Sequence, residues 1–248
     1  MRRSRWLAAL CVPAVLLTAC TAAPAPAPSP TPESAPASGA YPSTPGTSPS
    51  PGAARTSGPA PVPLAGDWTA TIYYTAVQSM HTGPAKTVKG CPVLDCSRGD
   101  TDLGSYPSDF IQAVKDEGTG RITGGKHAGK YLNWSHDVGY WLDTAPRDSH
   151  GGTLVPFVSA AADPNVLARG VRLVLTACGS DESGDPVDDK VCARLRQAEW
   201  TITDEFTPGL GGSRHIDLYV GEETGPGFTK GPWFITLTKA RVSKLPPG

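Results

Sequence analysis

The stretch ITDEFTPGLGGSRHIDLYVG, residues 202–221, joins two runs of β character across a glycine-rich turn. Asp204 closes the first run and Asp217 lies inside the second. Successive side chains of a strand point to opposite faces. In AEWTITD (198–204), Trp200, Ile202 and Asp204 share one parity, so Asp204 is expected to follow apolar residues facing the same way. In RHIDLYV (214–220), Ile216, Leu218 and Val220 form the core set, which puts His215, Asp217 and Tyr219 on the other side. Two carboxylates held close in a partly desolvated groove push one pKa upward and so supply an acid at neutral pH.

Outward from this stretch the same strand character recurs. WTATIYYTAV (68–77), TLVPFVSA (153–160), RGVRLVLTA (169–177), AEWTIT (198–203) and WFITLTKARV (233–242) are rich in β-branched or aromatic residues and bounded by Gly, Pro or Asp. One helix is expected in SDFIQAVKDEG (108–118), with Ser108 as N-cap, Phe110 and Val114 on one face, and Gly118 as the stop. Short, turn-separated strands without alternating helices predict a mainly β fold, a small closed barrel. Residues 81–150 read as an insertion built around that helix, with loops rich in Gly and His.

The N-terminal quarter has a different character. Arg2, Arg3 and Arg5 precede an apolar run, WLAALCVPAVLL (6–17), that is shorter than the roughly 20 residues a membrane-spanning helix needs. It ends in Leu17-Thr18-Ala19-Cys20, which resembles a bacterial lipobox. Residues 1–20 are therefore expected to be a lipoprotein signal, with Cys20 as the lipid anchor; cleavage by an ordinary signal peptidase is the alternative. Residues 21–63, almost wholly Ala, Pro, Ser, Thr and Gly, cannot bury a core and read as a disordered tether. The expected folded domain is 64–248. Its expected location is outside the cytoplasm, held at the membrane only by lipid and reaching into the cell wall.

Of six cysteines, Cys11 and Cys20 belong to the signal, leaving Cys91, Cys96, Cys178 and Cys192. An even number in an exported chain predicts two disulfides. Three pairings are open, and the local one, Cys91–Cys96 with Cys178–Cys192, is favoured because each pair flanks a short polar loop. The formal net charge of −1, with no Lys/Arg-rich stripe, gives no case for nucleic acid. His127, His136, Asp137, Asp143, Asp148 and His150 match no metal-site spacing and read as solvated loop residues; no metal and no cofactor are expected. Tyr131, Trp134, Tyr140 and Trp141 suit either sugar stacking or packing of the insertion on the barrel.

AADPNVLARGVRLVL (161–175), taken with ITDEFTPGLGGSRHIDLYVG, resembles the 3D domain, named for three aspartates. That domain is a six-stranded double-psi β-barrel of bacterial cell-wall proteins, including the C-terminal part of membrane-bound lytic transglycosylase A. The matching aspartates are Asp163 in AADPNVLARG, Asp204 in TDEFTPGLGG and Asp217 in RHIDLYVG. The family's Asp-Thr-Gly-Gly is replaced by Asp204-Glu205-Phe206-Thr207, with glycines displaced to Gly209, Gly211 and Gly212, and a Cys-flanked loop is inserted at 178–192.

The resemblance implies a peptidoglycan-directed enzyme that cleaves O-glycosidic bonds, with Asp217 as acid/base and Asp204 tuning it. Asp163, Tyr219 and Arg214 are the expected substrate-binding residues, although Asp-Pro at a strand end is also common turn chemistry. The expected partner is the glycan strand, and the expected state a monomer. The alternative function is a non-catalytic wall-binding or envelope-assembly module, since double-psi barrels host both roles.

Overall fold

The computed structural model describes residues 59–206 and 211–247. The signal, Cys20, most of the tether (21–58) and Thr207, Pro208, Gly209 and Leu210 lie outside the described residues. Among the described residues no helix is long and apolar enough to cross a membrane.

Within the described residues the strands and α-helices follow in chain order: β1 (Val62–Pro63), β2 (Trp68–Val77), β3 (Ala85–Gly90), β4 (Thr101–Pro107), α1 (Ser108–Glu117), β5 (Thr119–Arg121), β6 (Tyr131–Ser135) and β7 (Gly139–Asp143). Then come β8 (Ser159–Ala162), β9 (Arg172–Ala177), α2 (Asp189–Gln197), β10 (Trp200–Glu205), β11 (His215–Glu222) and β12 (Leu237–Lys244). Six of the strands close a barrel in the order β2-β11-β8-β10-β9-β12, and β12 pairs back onto β2. The β2–β11 and β8–β10 pairs are parallel and the rest antiparallel, giving the expected double-psi barrel with a helix-containing insertion.

Alternation fills the barrel. Trp68, Ala70 and Ile72 of β2 meet Ile216 and Leu218 of β11, Trp200 and Ile202 of β10, and Leu173 and Leu175 of β9 in one core. Burying a large apolar side chain contributes about 1.5–3 kcal/mol, so this interdigitated set holds the closure. Several expected strand limits shift for local reasons. TLVPFVSA is not a strand through 153–158: Pro156 has no N–H for a ladder, Phe157 takes φ 58°, and β8 starts only at Ser159. WFITLTKARV begins pairing at Leu237, after a turn in which the Phe234 N–H donates to Gly231.

The Cys-flanked loop 178–192, polar by composition, runs into α2. The Asp188 carboxylate accepts from the N–H groups of Lys190 and Val191, and Val191 and Leu195 enter the barrel core. Both expected disulfides are formed, Cys91–Cys96 and Cys178–Cys192.

The insertion holds more strand than expected: β3 and β4 form a hairpin, and β5, β6 and β7 extend the sheet from the far end of β2. It has its own core. Tyr74 and Ala76 of β2 pack with Phe110 and Val114 of α1, Leu132 of β6 and Leu142 of β7. Helix α1 stops at Gly118, whose φ of 84° suits glycine. Ser108 is not its cap, because Pro107 occupies that position without a side-chain bond. Asp109 instead anchors the helix start, accepting from the Thr82 and Gly83 N–H groups at 3.1 and 2.8 Å.

Candidate active site

Strand β8 lies between β10 and β11, and Ala161 on β8 is the partner of Asp204 on one side and Asp217 on the other. Asp217 pairs in turn with Thr71 of β2. One row, Asp204–Ala161–Asp217–Thr71, thus runs across four strands on the outer face of the barrel. With strands about 4.8 Å apart, the two aspartate backbones stand about 10 Å apart, separated only by a methyl group.

Simple parity misplaces Asp204, which does not share the face of Trp200 and Ile202. Between Ile202 and Asp204 the register slips, two steps on β10 matching the single step from Ala160 to Ala161 on β8. This bulge turns Asp204 out of the core and onto the face of Asp217. Parity holds for β11, where Ile216 and Leu218 point inward and Asp217 outward.

The electrostatics of the two differ. Asp217 Oδ1 is sealed from solvent and accepts no hydrogen bond. Burial pushes the carboxyl up to about 7; the Thr71 hydroxyl and Leu218 N–H oppose this, and the charge of Asp204 adds to it. Thr71 also shares a 2.8 Å hydrogen bond with His215 Nε2. Asp204 Oδ1 accepts from the N–H groups of Ser149 and Glu205, both at 2.9 Å. Burial raises its pKa above the ordinary range while those bonds pull it down.

The Ser149 N–H is held in place by Asp148, a side chain 1% exposed. Asp148 accepts from the His150 and Gly152 N–H groups and pairs with Arg169 at 2.8 Å. Arg169 also donates to the Thr203 carbonyl at the bulge.

Asp204, Ala161 and Asp217 of this row floor a cleft of about 600 Å³ whose opposite wall comes from the insertion. Glu117, the last residue of α1, brings a further carboxyl. Its Oε2 accepts from the Tyr74 N–H at 3.3 Å, and burial, reinforced by the charge of Asp217, pushes it up to about 9. A helix C-terminus carries partial negative charge, which also favours the neutral acid. Trp134 of β6 lines the same wall, with the Lys115 ammonium 6.0 Å from its ring centre. On the barrel side Phe206 stacks on His215 at 4.5 Å. Among the described residues no three His, Cys, Asp or Glu side chains come together as a metal site.

Asp204, Asp217 and Asp163 are brought to one cleft. Asp163 sits there as a turn residue, its Oδ1 accepting from the Asn165 N–H at 2.9 Å and its carbonyl from Val166 and Leu167. Tyr219 does not line the cleft: it is buried, and its hydroxyl shares a 2.6 Å bond with Thr75. Arg214 is exposed beside Gly66 and also lies away from the cleft. Of Tyr131, Trp134, Tyr140 and Trp141 in the insertion, only Trp134 lines the cleft; Trp141 is buried, and the hydroxyls of Tyr131 and Tyr140 bond to Glu222 and the Ile111 carbonyl. Glu117, Tyr73 and Ser149 are cleft residues that sequence reasoning missed. Only Tyr73 had a signal, its shared parity with Thr71 on β2.

Neither a protein-family model nor a curated protein sequence matches the chain. Solved structures do resemble it. The membrane-bound lytic murein transglycosylase of Agrobacterium tumefaciens is 12% identical, with a TM-score of 0.47 over 74% of this chain and 75% of that one. E. coli MltA with bound chitohexaose is 14% identical, with a TM-score of 0.45 over 73% of each chain. The lytic transglycosylase LtgG of Burkholderia pseudomallei is 13% identical, with a TM-score of 0.41 over 74% and 76%. Likeness at this level leaves the chemistry to the cleft's own residues.

Proposed function

We propose that this protein cleaves O-glycosidic bonds in the glycan strands of peptidoglycan, with Asp217 as the acid/base. One observation carries the reading. Asp217 lies in an open cleft, with one carboxyl oxygen sealed and unpartnered and a pKa pushed up to about 7. An acid of that strength is half protonated at neutral pH, as glycosidic cleavage requires.

Asp217 gives its proton to the glycosidic oxygen as the bond from C1 breaks. The positive charge that develops on the sugar ring faces Asp204, whose carboxylate is held by two backbone N–H groups. The Asp217 carboxylate then takes the proton of the sugar's own C6 hydroxyl as that oxygen bonds to C1. This leaves a 1,6-anhydro end and restores the acid. If water takes the place of the C6 hydroxyl, the same steps leave a reducing end. On the other wall, Trp134 offers a face for sugar stacking, and neutral Glu117 offers a hydrogen-bond donor. Lipid on Cys20 and the tether 21–63 would hold the domain within the wall.

Mass spectrometry of products from purified peptidoglycan tests the reading. Anhydro ends are expected; reducing ends would make the enzyme a hydrolase. Binding to insoluble wall without release of any soluble fragment would overturn catalysis in favour of a wall-binding module. Radiolabelled palmitate incorporation that is lost in Cys20→Ala tests the anchor.

A further inference from the structure

Besides Arg147 Nε, two polar atoms of cleft residues are sealed from solvent and have no hydrogen-bond partner, the Tyr73 hydroxyl and Asp217 Oδ1. One is a donor and the other an acceptor. Buried polar groups are nearly always paired, and each one left alone costs about 1–3 kcal/mol. Their positions bring them together. On the β2–β11 ladder Thr71 is the partner of Asp217 and Tyr73 that of Tyr219, so Tyr73 occupies the diagonal position on the face of Asp217. A tyrosine side chain can reach along that face toward its diagonal neighbour, and the charge of Asp217 acts on the Tyr73 hydroxyl.

The Tyr73 ring is fixed, packing on Tyr219 at 5.2 Å between centres and on Leu154, with the residue 6% exposed. The hydroxyl stays protonated: burial, with the charges of Asp204 and Asp217, raises its pKa well above the ordinary tyrosine value.

We infer that Tyr73 is a positioning residue for Asp217: its hydroxyl donates to Oδ1 of the carboxylate left once Asp217 has given up its proton. A hydrogen bond to the neutral acid is the weaker one. When Asp217 is ionised the bond becomes charge-assisted and shortens. No proton leaves Tyr73. The hydroxyl anchors one carboxylate oxygen so that the other is presented to the C6 hydroxyl or water. This inference rests on the acid/base role proposed above for Asp217.

Tyr73→Phe is the test, because it keeps the ring and removes only the unpartnered oxygen. Its unfolding midpoint should match or exceed that of the native protein. Loss of a donor to the charged form favours the neutral form, so the Asp217 pKa should rise by about 1 pH unit. The alkaline limb of the kcat–pH profile should move up with it, while kcat falls about tenfold and KM holds.

The other titratable or charged groups lining the cleft remain in the variant: Asp204, Glu205, His215, Asp163, Arg147, Lys115, Asp116, Glu117, His136 and Asp137. Tyr219 and Asp148, which also act on the Tyr73 hydroxyl, remain as well. A moved limb therefore belongs to the hydroxyl. An unmoved limb overturns the inference, whether accompanied by a raised KM (a sugar contact) or by a lowered midpoint (a structural bond).

Carbon-13 NMR titration of the Asp217 carboxyl in both proteins reads the same pKa difference without turnover. If the native protein releases no glycan fragments, the proposed function fails, and the titration still decides whether Tyr73 holds the ionised carboxylate.

Discussion

The two walls of the cleft place their carboxyls by different means. On the barrel wall, Asp204 and Asp217 are set by register, as partners of the same alanine across two hydrogen-bonded ladders. On the insertion wall, Glu117 is set by where a helix stops, one residue before Gly118. A register cannot drift by less than a full residue, whereas a helix end moves with any shift of the helix. The proposed acid/base chemistry, which demands fixed geometry, thus draws on the barrel wall, and the insertion wall adds Glu117 and the Trp134 ring.

Asp217→Asn should break the barrel side outright. Glycan turnover is expected to fall about 10²–10⁴-fold, measured as soluble fragments released per hour. The unfolding midpoint should hold or rise, because the burial cost of the charge is removed. Ala161→Leu tests the row itself. The larger side chain enters between the aspartates, and a displacement near 1 Å costs about 10²-fold in kcat. The far-ultraviolet dichroism of the barrel should persist.

Asp204→Asn should act more gently and mainly on pH. The charge of Asp204 raises the Asp217 pKa, so its removal lowers that pKa. The alkaline limb of the kcat profile then moves to lower pH, opposite to the Tyr73→Phe shift, with a loss of about tenfold at the optimum.

Glu117→Gln touches the insertion wall and should be read in stability. Glu117 has its pKa raised from 4.5 to about 9 in the folded protein. Its contribution to stability is fully present below 4.5 and is lost as pH rises through 9. Glutamine does not titrate, so denaturant midpoints of the variant should decline less between pH 5 and pH 9 than those of the native protein.

The barrel is largely legible in the sequence because its strands alternate apolar and polar residues, and WTATIYYTAV and RHIDLYV announce both face and period. SAAA, at 159–162, has neither β-branching nor alternation, and so the strand that carries Ala161 is masked by its neighbour TLVPFV. Asp217 can be placed by parity alone. Asp204 cannot, since a bulge arises from pairing between strands and leaves no mark in the residues that form it. The local disulfides are readable from short spacings, whereas α2 hides behind a polar loop despite the Asp188 cap. Glu117 belongs to a helix that the sequence announces. Which way that helix aims its last residue depends on a second core whose members lie far apart in sequence.

Strand β2 has a consequence for anyone wishing to separate the two halves. Its first residues sit in the barrel core and its last ones, Tyr74 and Ala76, in the core of the insertion, without a break in the strand. Excising residues 81–150 would therefore not yield a minimal barrel. It would strip the covering from a continuous apolar strand end and invite edge-to-edge association. The halves are welded through shared backbone, and any ancestral or engineered exchange of the insertion must carry the end of β2 with it.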